Sequence, residues 1–87
     1  MQEFVTYILY SHQFDKIYIG YTSNLIQRFL SHNKLATKGY TIKFRPWMVV
    51  GVFVHQSKSE ALKHEKYLKS GVGRKFIHST IIPIYKN

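Results

Sequence analysis

The sequence predicts an α+β domain: a small three-stranded antiparallel sheet flanked by helices, in the order β-β-α-(α)-β-α-α. Two observations carry this. Three short runs dense in β-branched and aromatic residues read as strands, and two segments with apolar residues at helical spacing fall between and after them. At 87 residues the chain is one domain, residues 1–87, in which folding hides roughly 60% of the unfolded surface. The core must therefore be thin.

The first two strands are Val5 to Tyr10 and Lys16 to Thr22, joined as a hairpin across Ser11-His12-Gln13-Phe14-Asp15. Both are apolar at consecutive positions, which predicts strands covered on more than one face, with helices packed over the sheet. Ser23 or Thr22 can cap a helix over residues 24–34, where Leu25, Ile26, Phe29 and Leu30 form an apolar stripe. At 100° per residue, Arg28 and His32 lie one turn apart at the edge of that stripe. Residues 34–45 carry four of the thirteen basic residues and read as an irregular basic segment able to hold a short second helix.

Arg45-Pro46-Trp47 then opens the third strand, Met48 to His55. Ser57-Lys58-Ser59-Glu60 matches a capping box, with Glu60 reaching back to the Ser57 amide, and starts a helix from Lys58 to about Ser70. Gly71 is read as its stop and Gly73 as a permissive loop position. Arg74 to Thr80 reads as a last short helix. Pro83 argues against a central strand over residues 81–87, which stay ambiguous.

Cysteine is absent, which excludes disulfides, thiolate metal sites and a cysteine nucleophile. No apolar run approaches the roughly 18 residues a membrane span needs, and Met1-Gln2-Glu3-Phe4 does not resemble a targeting segment. The expected setting is soluble and cytoplasmic, with no membrane partner. Thirteen Lys and Arg against four Asp and Glu give a formal charge of +9, which favours a polyanion, and nucleic acid above others. Charge alone is also compatible with a protein that is merely basic.

Glu65 is the residue with the most chemical content. With Ala61, Leu62 and Leu68 it falls at i, i+1, i+4 and i+7, in the middle of an apolar arc. A carboxylate turned toward a core needs a cation, a metal or a shifted pKa. The plainer alternative is a surface pair with Lys69 four residues on, worth about 0.3–0.5 kcal/mol. Glu60 belongs to the cap, Asp15 to the hairpin turn and Glu3 to the terminus, which leaves one carboxylate for one ion. His12, His55, His64 and His78 show no ligand spacing and read as scattered surface histidines. Gly71-Val72-Gly73-Arg74 lacks the spacing of a nucleotide loop.

Thr6-Tyr7-Ile8, Tyr18-Ile19-Gly20-Tyr21-Thr22, Arg28 ten positions after Tyr18, and Glu60-Ala61 leading into Glu65 form an ordered set that resembles the GIY-YIG nuclease family. The similarity runs from about Val5 to Lys69 and is to its small stand-alone members. The resemblance implies a metal-dependent endonuclease acting on DNA phosphodiesters and leaving 5′ phosphate and 3′ hydroxyl ends. It implies Tyr7, Tyr18, Arg28, His32 and Glu65 as catalytic residues, with Glu65 holding one Mg2+ or Mn2+.

In that division of work Arg28 offers a planar charged fork to phosphate, and a tyrosine takes the proton of water. An ordinary phenol is about one part in a thousand ionised at neutral pH. Arg28, the metal and the basic surroundings are therefore expected to favour phenolate; which tyrosine acts stays open. His32 could relay a proton, and Gly20 keeps the site open to the backbone. Without the resemblance, the tyrosines would pass for strand aromatics and His32 for a bystander.

The chain departs from the family pattern where Thr6-Tyr7-Ile8 lacks the glycine-isoleucine of the name, and where Tyr21 replaces the lysine of excinuclease UvrC-like members. Tyr40-Thr41 and Arg45-Pro46-Trp47 look like the short bacterial members. Gly20, Tyr21, Lys34, Lys38, Tyr40, Lys43, Arg45, Arg74 and Lys75 are the expected nucleic-acid contacts: cations track phosphates, and Tyr40 or Trp47 stacks on a base, although Trp47 also suits the core. The alternative function is a non-cleaving nucleic-acid-binding module on the same fold. No separate recognition domain is evident, so a protein partner could supply specificity, and the strand type of the DNA, or RNA in its place, is undetermined.

Overall fold

The computed structural model describes residues 3–86. Strand β1 (Phe4–Ser11) lies at the centre of the sheet, antiparallel to β2 (Lys16–Thr22) on one side and β3 (Met48–His55) on the other. The consecutive burial of Thr6 to Ser11 follows from that central place, because both faces of β1 are covered. Ile8, Tyr10, Ile19 and Val50 meet Leu68, Ile77 and Ile82 on one face. Tyr7, Leu9 and Trp47 meet Leu25, Phe29 and Phe44 on the other. A bulge between Ile8 and Leu9 leaves Val50 unpaired, with Ile8 opposite Gly51 and Leu9 opposite Val49; β3 contributes Val50 to one cluster and Val49 to the other.

The hairpin turn is tied by its only acid. Asp15 adopts φ 54°, and its carboxylate accepts from the Tyr10 hydroxyl at 2.8 Å and meets Lys86 Nζ at 3.3 Å. The Tyr10 bond, then Lys86, hold its carboxyl below the usual range.

Helix α1 (Leu25–Leu30) is shorter than the expected 24–34 and capped one residue later: Asn24, not Ser23 or Thr22, accepts from the Gln27 amide at 3.1 Å. Thr22 still ends β2, and its hydroxyl accepts from the Asn24 amide at 3.0 Å. After Leu30 the coil widens into a π turn, Ser31–Leu35. Arg45 explains why the wide turn is stable: its guanidinium donates to the carbonyls of His32 at 2.6 Å, Ser31 at 3.1 Å and Ala36 at 2.8 Å, satisfying acceptors that a regular helix would have used. The short second helix is a 3-10 turn, Tyr40–Phe44, entered through Gly39 at φ 117°, a backbone conformation that favours glycine.

Helix α2 (Lys58–Lys69) is capped by Ser57, whose hydroxyl accepts from the Glu60 amide at 3.2 Å. Glu60 reaches back to the Gln56 amide, one residue beyond the expected Ser57. Gly71 does not stop the chain in a loop. Ser70 ends α2 and caps α3 (Gly71–Phe76), donating to the Tyr67 carbonyl at 2.6 Å and accepting from the Gly73 amide at 3.2 Å. Gly73 sits buried where any Cβ would overlap the Tyr67 carbonyl and the Leu68 backbone. Its function is close packing of α3 on α2 rather than loop freedom. The chain continues through a π turn, Ile77–Ile81, into α4 (Ile82–Tyr85), with Pro83 in the first turn where no amide is required. This settles the ambiguous end as helical; Asn87 lies outside the described residues. Among the described residues no helix is long and apolar enough to cross a membrane.

Two histidines read as surface bystanders are structural. The buried Thr6 hydroxyl lies 3.2 Å from His55 Nε2 and 2.6 Å from His64 Nδ1. Phe53 packs edge-on to the His64 ring, with centroids 4.8 Å apart. The buried Thr6 hydroxyl has one proton to give and the two histidines as its partners among the described residues, so one of them accepts it, and that histidine is neutral. Burial, then the neighbouring His55, lower the His64 pKa. The folded protein therefore binds fewer protons than the unfolded chain between that lowered value and about 6.5, and stability rises with pH across this window. Thermal melts should show stability lost as pH falls from 7.5 through 6.5 to 5.5. In His64→Gln, whose amide cannot titrate, that loss should shrink; an unchanged pH dependence would refute the assignment.

Candidate active site

Strand register brings the tyrosines together. Tyr7 pairs with Gly20 and Leu9 with Tyr18, so both phenols leave the sheet on the face that carries α1. The Tyr7 ring then lies across Gly20. A Cβ built on Gly20 would sit 2.5 Å from the Tyr7 hydroxyl oxygen and 2.7 Å from Cζ. The sequence-based role for Gly20, a backbone left open to a strand of nucleic acid, is corrected: Gly20 is buried, and its missing side chain is filled by the phenol.

The Tyr7 hydroxyl meets His32 Nε2 at 2.9 Å, and His32 Nδ1 meets the Thr41 hydroxyl at 3.1 Å. Thr41 is itself fixed, because its carbonyl accepts from Trp47 Nε1 at 2.8 Å. The π turn points His32 into this network while Arg28, one turn earlier, stays exposed on α1. Tyr18 closes the group, its ring centroid 4.7 Å from that of His32 and 6.4 Å from that of Tyr7. Trp47 is core, 3% exposed, so the base-stacking role considered for it falls to Tyr40, 54% exposed.

Burial raises the Tyr7 pKa, and the Tyr18 and Glu65 charges act the same way, whereas the adjacent Arg28 guanidinium pulls it down. The net direction is upward. The expectation that these surroundings favour phenolate is thus reversed for Tyr7 in the free protein. His32 moves the opposite way: burial first, then Arg28 and Arg45, lower its pKa. At neutral pH both partners are neutral, so the bond joins a phenol that can donate to an imidazole that can accept.

Glu65 comes to this group from the helix packed on the opposite face. Its charge reaches the Tyr7 hydroxyl, its side chain is 18% exposed, and its Oε2 lies 3.3 Å from Lys69 Nζ. Both sequence readings of this residue therefore hold in part: the carboxylate is largely covered, and it is paired with Lys69. Its other oxygen accepts no hydrogen bond among the described residues. No group of three or more His, Asp or Glu side chains able to hold a metal occurs among them. A single carboxylate suits hydrated Mg2+ or Mn2+, which keeps waters and borrows phosphate oxygens, and does not suit an all-protein cage.

A cleft of about 230 Å³ opens over the network, lined by Tyr18, Arg28, His32, Lys38 and Tyr40 among others. Of the remaining expected contacts, Tyr21 lines a second opening that also reaches Arg28. Lys34, Lys43, Arg74 and Lys75 are exposed and line neither. Arg74 Nε donates to the Lys69 carbonyl at 3.1 Å. Arg45, half-buried, lines neither opening and commits its Nε and Nη2 to the carbonyls of Ser31, His32 and Ala36, so its first role is to hold the π turn. Sequence reasoning named Thr41 only with Tyr40, as a likeness to the short bacterial members, and gave it no place in the site.

A family model described as the GIY-YIG catalytic domain matches residues 3–76. Comparison with curated proteins gives no match. Among solved structures the chain is similar to the solution NMR structure of the UPF0213 protein BH0048 from Bacillus halodurans, with 25% identity and a TM-score of 0.53 over 88% of this chain and 83% of that one. The matched segment takes in both tyrosines, Arg28, His32 and Glu65 together with all three strands, and the chain belongs to the GIY-YIG family of nuclease domains.

Proposed function

We propose that this protein is a metal-dependent endonuclease hydrolysing DNA phosphodiester bonds to 5′ phosphate and 3′ hydroxyl ends. The bond between the buried Tyr7 hydroxyl and His32, whose ring lines a cleft together with Tyr18 and Arg28, is the observation that carries the reading. A phenol with a raised pKa is a poor base alone. Joined to a neutral imidazole it becomes a relay: as Tyr7 takes a proton from the attacking water, its own proton passes to His32 Nε2, and no free phenolate has to form. The bond from water oxygen to phosphorus forms, the bond from phosphorus to the 3′ oxygen breaks, and the leaving oxygen takes a proton from solvent.

Arg28 stabilises charge on the non-bridging phosphoryl oxygens with a guanidinium that stays ionised. Tyr18, packed at a tilt against His32, orients the phosphate or the water from the cleft side. One Mg2+ or Mn2+ held by Glu65 would supply Lewis-acid polarisation of the scissile phosphate and of the leaving oxygen. Lys69 favours a second reading, a nucleic-acid-binding module without cleavage, because its ammonium already sits on the proposed metal carboxylate.

The deciding experiment incubates purified protein with labelled single-stranded, duplex and branched DNA, and with RNA, under Mg2+, Mn2+ or EDTA. Cleavage should require the metal. Arg28→Ala and Glu65→Gln should each lower the rate by about 10²-fold or more while binding in EDTA survives. Parent-like cleavage by both variants removes this site from consideration; binding with a steep salt slope and no cleavage by the parent selects the second reading.

Two further outcomes follow from the relay. Gly20→Ala should displace the Tyr7 ring, costing about 1–3 kcal/mol of stability as an overpacked site and most of the activity, whereas Tyr7→Phe should remove activity with less loss of stability. Thr41→Val leaves the far nitrogen of His32 without its hydroxyl partner. The acid limb of the rate profile, set by neutral His32, should move relative to the parent, and Thr41→Ser should restore it; superimposable profiles for all three proteins would exclude a positioning role for Thr41.

A further inference from the structure

Arg28 lines two openings, not one. The first is the cleft over Tyr18 and His32. The second, of about 540 Å³, is bounded by Phe4, Tyr21, Thr22, Ser23, Arg28 and Lys58. Strand parity sets them on different sides of the sheet: Tyr21 pairs with Thr6, so its ring leaves toward the face that carries α2, away from Tyr7 and Tyr18. The second opening therefore lies where the end of β2 and the start of β1 meet the first turn of α2, and Arg28 is common to both.

The chemistry on the two sides of Arg28 matches. The first cleft offers Lys38 with the ring of Tyr40; the second offers Lys58 with the rings of Tyr21 and Phe4. Neither lining includes an aspartate or glutamate, although acidic residues occur elsewhere on the chain. A cation beside an aromatic ring is what a nucleotide requires, with charge for the phosphate and a π surface for the base. Lys58 and Glu65 are seven residues apart and so share one face of α2, roughly 10 Å apart along its axis. A phosphate at Lys58 is thus a neighbour of the one held near Glu65, not the same one.

Resting on the nuclease reading above, we infer that Lys58, Tyr21 and Phe4 form a second nucleotide subsite on the far side of Arg28 from Lys38 and Tyr40. The strand being cut is then gripped on both sides of the scissile phosphate as it passes around the end of β2. Lys58 was not among the contacts its charge pattern suggested, because from sequence it is simply the first residue of a capped helix.

The test uses the full chain in EDTA, where the strand is bound and not cut. Short oligodeoxynucleotides carrying a single 5-iodouracil at successive positions are irradiated, and the cross-linked tyrosine is identified. Positions on one side of the scissile bond should label Tyr40 and positions on the other should label Tyr21. In parallel, Lys58→Ala should weaken binding and reduce the slope of log affinity against log salt by about 0.7–0.9, with Lys58→Arg restoring it; Lys58 is exposed, so the melting curve should not change. Labelling of Tyr40 alone at every position, with Lys58→Ala indistinguishable from the parent across the salt range, overturns the subsite and leaves the nuclease reading standing. Parent-like cleavage by Arg28→Ala and Glu65→Gln defeats the nuclease reading instead, and failure to bind any nucleic acid defeats both.

Discussion

The Tyr7 ring laid across Gly20 is the contact on which the site depends. It exists because β1 and β2 pair in one register. A slip of one residue would turn Tyr7 to the opposite face and place a side chain where its hydroxyl must go. Once the phenol is seated, His32 is the neighbour able to satisfy it from inside the protein, and His32 reaches it because the helix after Arg28 relaxes into a π turn. The turn in turn relies on Arg45, whose guanidinium holds three carbonyls in place. Sheet register, helix geometry and a buried polar chain thus support one another, so a change in any of them is felt at the Tyr7 hydroxyl.

Charge distribution gives the same arrangement its direction. Of four acidic side chains, Asp15 is tied to Tyr10 and Lys86, and Glu60 to the backbone before α2. Glu3 stands exposed at the start of β1. Glu65 alone approaches the phenols. A chain of this net charge draws a polyanion to its whole surface, and the surface near Arg28 is where positive charge, aromatic rings and open volume coincide. Lys69 gives Glu65 a partner within the protein. That pair is half-open to solvent and worth little on its own, so on the proposed reading a dication arriving with phosphate oxygens would compete against a weak interaction.

Much of this was legible in the sequence, for identifiable reasons. The strands showed because their residue types and consecutive apolar positions match a sheet covered on both sides. The Ser57 cap showed because it is a local rule. What the sequence obscured depends on contacts between distant segments. The short α1 and its π turn are consequences of Arg45, thirteen residues beyond His32. Gly71 and Gly73 look like punctuation, and only the proximity of α3 to α2 shows that Gly73 is a packing residue. His55 and His64 have no ligand spacing, yet both find Thr6 because β1 and β3 pair and α2 crosses beneath them. Among the candidate site residues, the order of types singled out Tyr7, Tyr18, Arg28, His32 and Glu65 for a shared role; their electrostatics needed burial, which residue order does not encode.

The sign of the Tyr7 shift constrains the chemistry more than the list of residues does. A free phenolate at this position would be desolvated and would face the charge of Glu65, and Arg28 offsets only part of that cost. If phenolate were the working base, burying Tyr7 this completely would oppose the reaction. If proton transfer is concerted with His32, burial helps: it raises the phenol and lowers the imidazole, so both are neutral at rest and charge appears only as the water attacks, when the incoming phosphate supplies negative charge to balance the new imidazolium. On the proposed reading Arg28 serves the substrate as well as standing beside Tyr7. An exposed guanidinium between two open clefts is placed to meet phosphate, and its effect on the phenol is the by-product of standing close to both.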